Sequence, residues 1–220
     1  MKSAGSSLEL AMTPFCGPDD ILTGSPYDGE KSLGYHERNN RLGYRPVWHQ
    51  HTPPTEVLRN NLNIDKYFKF TTIRNPYDAV VSYFWWSFYS PDTTLTNHIL
   101  KPDQHDGSKT LQDKFLTFLE TYASFSKTGK QERIIDWFTS RYKLFYELPL
   151  DFIIRYEDLE VDFSMVCGMI GLGPLNIPKL KTDIRKSKYD YRVYYTNKSY
   201  DIVTNSFSDL ISNFKYSFDN

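Results

Sequence analysis

Cysteine is almost absent from this 220-residue chain: there are two, Cys16 and Cys167, far apart and in no C-x-x-C pairing. A disulfide-stapled scaffold and a thiolate zinc site are thereby excluded, and reduced thiols are the expectation. Charge of one sign is missing as well. The 26 Lys and Arg against 27 Asp and Glu leave a formal net charge of −1, too little for a general field that would hold nucleic acid or an anionic membrane. Any anion site must be local. No apolar run approaches the about 20 residues of a membrane span, and the N-terminus has no apolar leader core, so the expected location is the cytoplasm. No glycine-lysine-serine/threonine triplet closes a Walker A loop, which argues against a phosphate-transferring P-loop kinase.

What is present is an ordinary globular composition, 40% hydrophobic and 24% charged, with aromatics at 16%. The 17 Tyr and 15 Phe are expected chiefly to fill a core, though tyrosines also stack on sugar rings. The length fits one domain, expected over residues 1–220.

Two strands stand out. Tyr67 to Ile73 is β-rich and stops at Arg74-Asn75-Pro76, and Phe152 to Tyr156 is the second. Helices are predicted from Ser7, through a Ser6/Glu9 capping box, to the Gly17-Pro18 stop, and after Thr52-Pro53-Pro54. A further one runs over Pro76 to Tyr89, with Asn75 as N-cap and with Tyr77, Val81, Phe84 and Phe88 on one stripe. Three more are predicted over about 110–125, 131–143 and 199–214. Strands alternating with helices imply an α/β fold in which a parallel sheet is covered by helices and ligands bind beyond the strands' carboxyl ends, where Arg74 falls.

Two segments have the makings of anion sites. Lys2-Ser3-Ala4-Gly5-Ser6-Ser7 joins small residues, hydroxyls and one lysine to a helix N-terminus, whose first amides have no intrahelical partners. Taken alone, it reads more readily as a plain capped helix start than as a phosphate loop. Arg74, at the end of a buried strand, is either a bidentate anion donor or the ion-pair partner of Asp78 one turn on, with Ser82 a turn further.

Together these segments resemble the sulfotransferase family. The loop from Lys2 to Ser7 is similar to the family's 5'-phosphosulfate loop, and Arg74 through Ser82 to its 3'-phosphate signature. The likeness continues through Arg155-Tyr156-Glu157-Asp158-Leu159 and the tail Tyr216-Ser217-Phe218. The resemblance implies a P-loop-like three-layer α/β fold with a central parallel sheet, and 3'-phosphoadenosine-5'-phosphosulfate (PAPS) as donor. Lys2 would stabilise the leaving phosphate. Ser3, Ala4, Gly5, Ser6 and Ser7 would hold the 5'-phosphate, Arg74 and Ser82 the 3'-phosphate. In the basic run Arg185-Lys186-Ser187-Lys188, Lys188 would close on the same phosphate, with a solvated surface run as the alternative.

His49-Gln50-His51 is similar to the paired histidines of carbohydrate 2-O-sulfotransferases, which implies His51 as general base, His49 at the substrate and a sugar hydroxyl as acceptor. A metal pair is the other reading of H-x-H, but no third ligand accompanies it, and sulfuryl transfer needs no metal. The family places a β-strand before its phosphate loop. Here Lys2 follows the first residue of the sequence, so the expectation is that this strand has been cut off by a late start or a truncation, or that another element takes its place. A catalytically inactive relative that binds nucleotide or glycan is the competing expectation.

Overall fold

Phe70, Thr72, Phe152 and Ile154 alternate with their neighbours and share one face of a parallel strand pair, the signature of a sheet with an apolar side. In the computed structural model, which describes residues 3–17, 20, 66–89, 101–104, 107–124, 131–146, 149–180, 184–187 and 189–219, the strands are β1 (Phe70–Ile73) and β4 (Phe152–Arg155). They pair in register from Phe70 opposite Phe152 to Ile73 opposite Arg155. With helices packed on the pair, the fold is α/β, built on a small sheet.

The described residues fall into two compact units, one within Ser3–Ile73 and Leu144–Leu180, the other within Arg74–Lys143 and Lys181–Asn220. In the first, α1 (Gly5–Met12) and α5 (Leu159–Met169) lay Leu8, Phe163, Val166 and Cys167 against Phe70, Phe152 and Ile154. The buried Leu8, Ile154, Phe163 and Val166 side chains each contribute roughly 1.5–3 kcal/mol. The strand β1 begins three residues later than the pattern predicts. At Lys69 the backbone N–H donates to the Asp151 carboxylate (2.6 Å) instead of to a strand, which ends the ladder there and leaves Tyr67 exposed.

The second unit is built around α2 (Pro76–Tyr89), whose predicted bounds and cap both hold: Asn75 Oδ1 accepts from the Tyr77 N–H (3.1 Å). This helix is buried on nearly every side. Between Pro76 and Phe88 the half-exposed residues are Asp78, Ser82 and Trp86, at intervals of four, so a single open stripe runs along it. Around it pack α3 (Leu111–Glu120), α4 (Ile134–Lys143) and α6 (Asn197–Ser206), with α7 (Ser208–Phe214) packed on α6. The aromatic surplus fills this interior as expected: Phe84 meets Phe115 and Phe118 with ring centroids 5.3 and 5.1 Å apart, and Tyr83 stacks on Phe138 at 4.4 Å.

Several predicted boundaries are corrected. The first helix starts at Gly5 rather than near Ser7, because the Ala4 carbonyl takes the N–H groups of Ser7 and Leu8. Ser6 therefore lies inside the helix, and the N-cap Ala4 has no side-chain cap. The helix predicted over 110–125 ends at Glu120. Thr121 turns extended, and β2 (Tyr122–Ser124) pairs antiparallel with β3 (Gln131–Arg133), which delays the next helix to Ile134 and leaves Tyr122 on the surface. The closing helix is two, since Phe207 leaves helical geometry to bury its ring between Phe138 and Tyr142. The helix α5 and a 3-10 turn at Tyr191–Tyr194 were not predicted. The helix predicted after Thr52 lies outside the described residues.

Beyond α7 the chain forms a strap. Asn75 Nδ2 donates to the Ser217 carbonyl (3.0 Å), while Tyr191 Oη and Arg192 Nε both donate to the Phe218 carbonyl. The Phe218 ring packs edge-on against Tyr77, Tyr195 and Tyr200. The last described residues thus tie down the turn that carries Arg74.

Candidate anion-binding site

In the first unit the loop Ser3–Ser7 sits at the mouth of α1. Ser3 Oγ accepts from Thr72 Oγ1 (2.9 Å), so β1 fixes the loop's start, and Ser3 and Ser7 are both buried. Ala4 carries φ 65° and ψ 8°, a left-handed conformation that costs an alanine roughly 1–2 kcal/mol and turns the chain sharply into the helix. Gly5 is exposed, and a Cβ there would meet nothing within 4 Å. Protein packing does not demand its smallness, whereas close approach of a ligand would. Strained backbone, a helix N-terminus and open space above a glycine make this loop a candidate for holding an anion.

In the second unit the Arg74 side chain donates through Nε (2.8 Å) and Nη2 to Asp78 Oδ2. Its backbone N–H donates to Tyr142 Oη (2.7 Å), which pins the residue from the other side. Asp78 does not serve Arg74 alone. Its other oxygen, Oδ1, accepts from Arg185 Nη1 at 2.7 Å. Arg185 in turn donates through Nη2 to the Tyr189 carbonyl and lies 5.6 Å from the centroid of the Tyr194 ring. All three side chains are largely shielded, at 11% exposure for Arg74, 19% for Asp78 and 21% for Arg185.

Among the described residues, two guanidiniums share this one carboxylate in a half-buried place. Moreover, Arg185 Nε is buried and has no hydrogen-bond partner among the described residues. An unsatisfied buried donor is costly, so Arg185 is held here with part of its hydrogen-bonding capacity unused. Ser82, one turn beyond Asp78, presents its hydroxyl on the same open stripe of α2. Nearby phenols are not proton carriers here: burial pushes Tyr77 up to about 12 and Tyr195 well above the usual tyrosine value. They act as fixed packing and hydrogen-bonding groups, Tyr195 Oη donating to the Tyr77 carbonyl at 2.8 Å.

Of the residues predicted for the site, Ser3, Ala4, Gly5, Ser6 and Ser7 stand together at the N-terminus of α1, and Arg74 and Ser82 bracket the first two turns of α2. Lys2, His49, His51 and Lys188 lie outside the described residues. Sequence reasoning left open whether Arg74 pairs with Asp78, and it does. What it missed is Arg185. The run Arg185-Lys186-Ser187-Lys188 was the signal, but charge along a run does not say which member turns inward.

The sequence matches the sulfotransferase family over residues 2–212, and the chain belongs to that family. It is thereby a transferase whose chemistry is sulfuryl transfer from a sulfate donor. No curated protein and no solved structure matches it. Among the described residues no helix is long and apolar enough to cross a membrane, and no cluster of His, Cys, Asp and Glu has a metal-binding arrangement.

Proposed function

We propose that the chain moves the sulfuryl group of PAPS to a hydroxyl acceptor, a carbohydrate in the first instance. The observation that supports the donor is the pair of arginines gathered on Asp78, because guanidiniums match the acceptor oxygens of a phosphate monoester. In this reading Arg74, Arg185 and the Ser82 hydroxyl take the 3'-phosphate. Lys188 follows Arg185 closely and adds charge to the same group. Ser3, Ala4, Gly5, Ser6 and Ser7 take the 5'-phosphate through amides and hydroxyls at the N-terminus of α1.

The reaction asks for placement and charge. Sulfuryl transfer resembles phosphoryl transfer in its loose in-line transition state, so fixed cations and amides supply most of the stabilisation. Lys2 neutralises charge on the phosphate oxygen that leaves with the nucleotide. His51 accepts the acceptor's proton as the hydroxyl attacks sulfur, a contribution of roughly 10²–10⁴ in rate, and His49 orients the acceptor. The likeness of His49-Gln50-His51 to the paired histidines of carbohydrate 2-O-sulfotransferases supports a sugar hydroxyl.

The test is a thermal-shift titration with adenosine 3',5'-bisphosphate beside 5'-AMP and ATP. A ligand at one hundred times its Kd adds about 2.7 kcal/mol of stability. The expected result is a shift for the bisphosphate well above that for 5'-AMP, and its loss in Arg74→Ala. Equal shifts for all three nucleotides, or none, would reject PAPS as donor.

A further inference from the structure

Asp78 has no part in the donor contacts just described, yet both arginines meet on it. It stands in the first turn of α2, where the helix dipole favours a carboxylate, and the helix backbone fixes its position. Each oxygen is committed to a different guanidinium, Oδ2 to Arg74 and Oδ1 to Arg185 at 2.7 Å. The two arginines come from segments 111 positions apart (185 − 74) in the sequence, and without a shared anion their like charges would drive them apart. Arg185 is then held on three sides, by Asp78, by the Tyr189 carbonyl and by the Tyr194 ring, and these contacts use two of its five N–H donors.

We propose that Asp78 is a positioning residue for donor binding: its carboxylate holds Arg74 and Arg185 together as one preformed clamp. This rests on the reading of the clamp as a 3'-phosphate site. The carboxylate touches the arginines and leaves the nucleotide to them. Preorganisation saves the side-chain ordering that binding would otherwise require, so removing it weakens the phosphate that the clamp holds and leaves the rest of the nucleotide as it was.

The measurement is isothermal titration calorimetry of the full chain with adenosine 3',5'-bisphosphate and with 5'-AMP, the ratio of the two Kd values isolating the 3'-phosphate. In Asp78→Asn, whose amide serves one arginine and repels the other, the ratio is expected to fall about tenfold with 5'-AMP affinity unchanged. In an Arg185→Ala background the same substitution should change the ratio less than it does in wild type, since only Arg74 is then left for the carboxylate to hold. Asp78→Glu keeps the charge one methylene farther out and should give an intermediate ratio, which also serves should the asparagine variant fail to fold. A wild-type ratio in either Asp78 variant, equal loss for both nucleotides, or full additivity with Arg185→Ala overturns the proposal. A wild-type protein that does not prefer the bisphosphate overturns the donor reading itself, before Asp78 is tested.

Discussion

Replacing Asn75 with alanine should destabilise the protein by about 2–3 kcal/mol, and the structure says where the loss arises. Asn75 is 3% exposed and works at both ends of its amide. Its Oδ1 caps α2 through the Tyr77 N–H, worth about 1 kcal/mol. Its Nδ2 holds the Ser217 carbonyl, and leaving that partly buried acceptor unpaired costs about another 1–2 kcal/mol. Urea unfolding followed by circular dichroism would read the sum as a midpoint lowered by roughly 1 M with an unchanged slope. Asn75→Ser separates the two halves, since a serine still caps a helix but is too short to reach Ser217. It should recover about 1 kcal/mol. A serine variant as unstable as the alanine one, or an alanine variant within 0.5 kcal/mol of wild type (about the noise of a surface change), would refute this account of the turn.

The remaining predictions concern chemistry and solution behaviour. His51→Ala should keep bisphosphate binding and lose transfer; unchanged transfer to a sugar acceptor would remove His51 from the mechanism. Burial raises the Cys167 thiol and shuts it from solvent, so a thiol reagent at neutral pH should label half-buried Cys16 first and reach Cys167 only on unfolding. Labelling of both at one rate in the native protein would contradict that packing. Asp113 is held below the usual carboxylate range by the Thr110 side chain and backbone, and Asp151 by the Lys69 backbone. Depressed folded values mean that both groups stabilise the fold fully above about pH 4 and lose that contribution as acid carries the pH below it. Asp113→Asn and Asp151→Asn should each flatten the acid limb of a stability–pH curve, and leave its neutral region nearly as curved as before.

How much of this was legible in the residues differs from place to place. The Arg74-Asn75-Pro76 punctuation fixed the end of β1 and the whole of α2, because strand stop, cap and proline act within a few residues of one another. The α1 start was misread for an equally local reason: the pattern offers Ser6 and Glu9 as a capping box, but the turn closes earlier on the Ala4 carbonyl, with Ala4 in a conformation its side chain does not advertise. The break at Phe207 was not legible at all, since it follows from rings in Phe138 and Tyr142 that come from elsewhere in the chain. Arg185 is the same kind of miss. Its partner Asp78 is 107 positions away, and only the fold states that they meet.

The strap has a consequence for how the protein comes into being. Asn75 waits for Ser217, 142 positions later, to close the turn beneath Arg74. At about 5–20 residues per second, a ribosome takes roughly 7–30 seconds to cross that interval. Throughout it the nascent chain holds a finished Arg-Asn-Pro sequence without its tether, and for most of it without Arg185. A growing polypeptide should therefore bind no donor until it extends past Ser217, and chains released short of that residue should be silent toward the nucleotide.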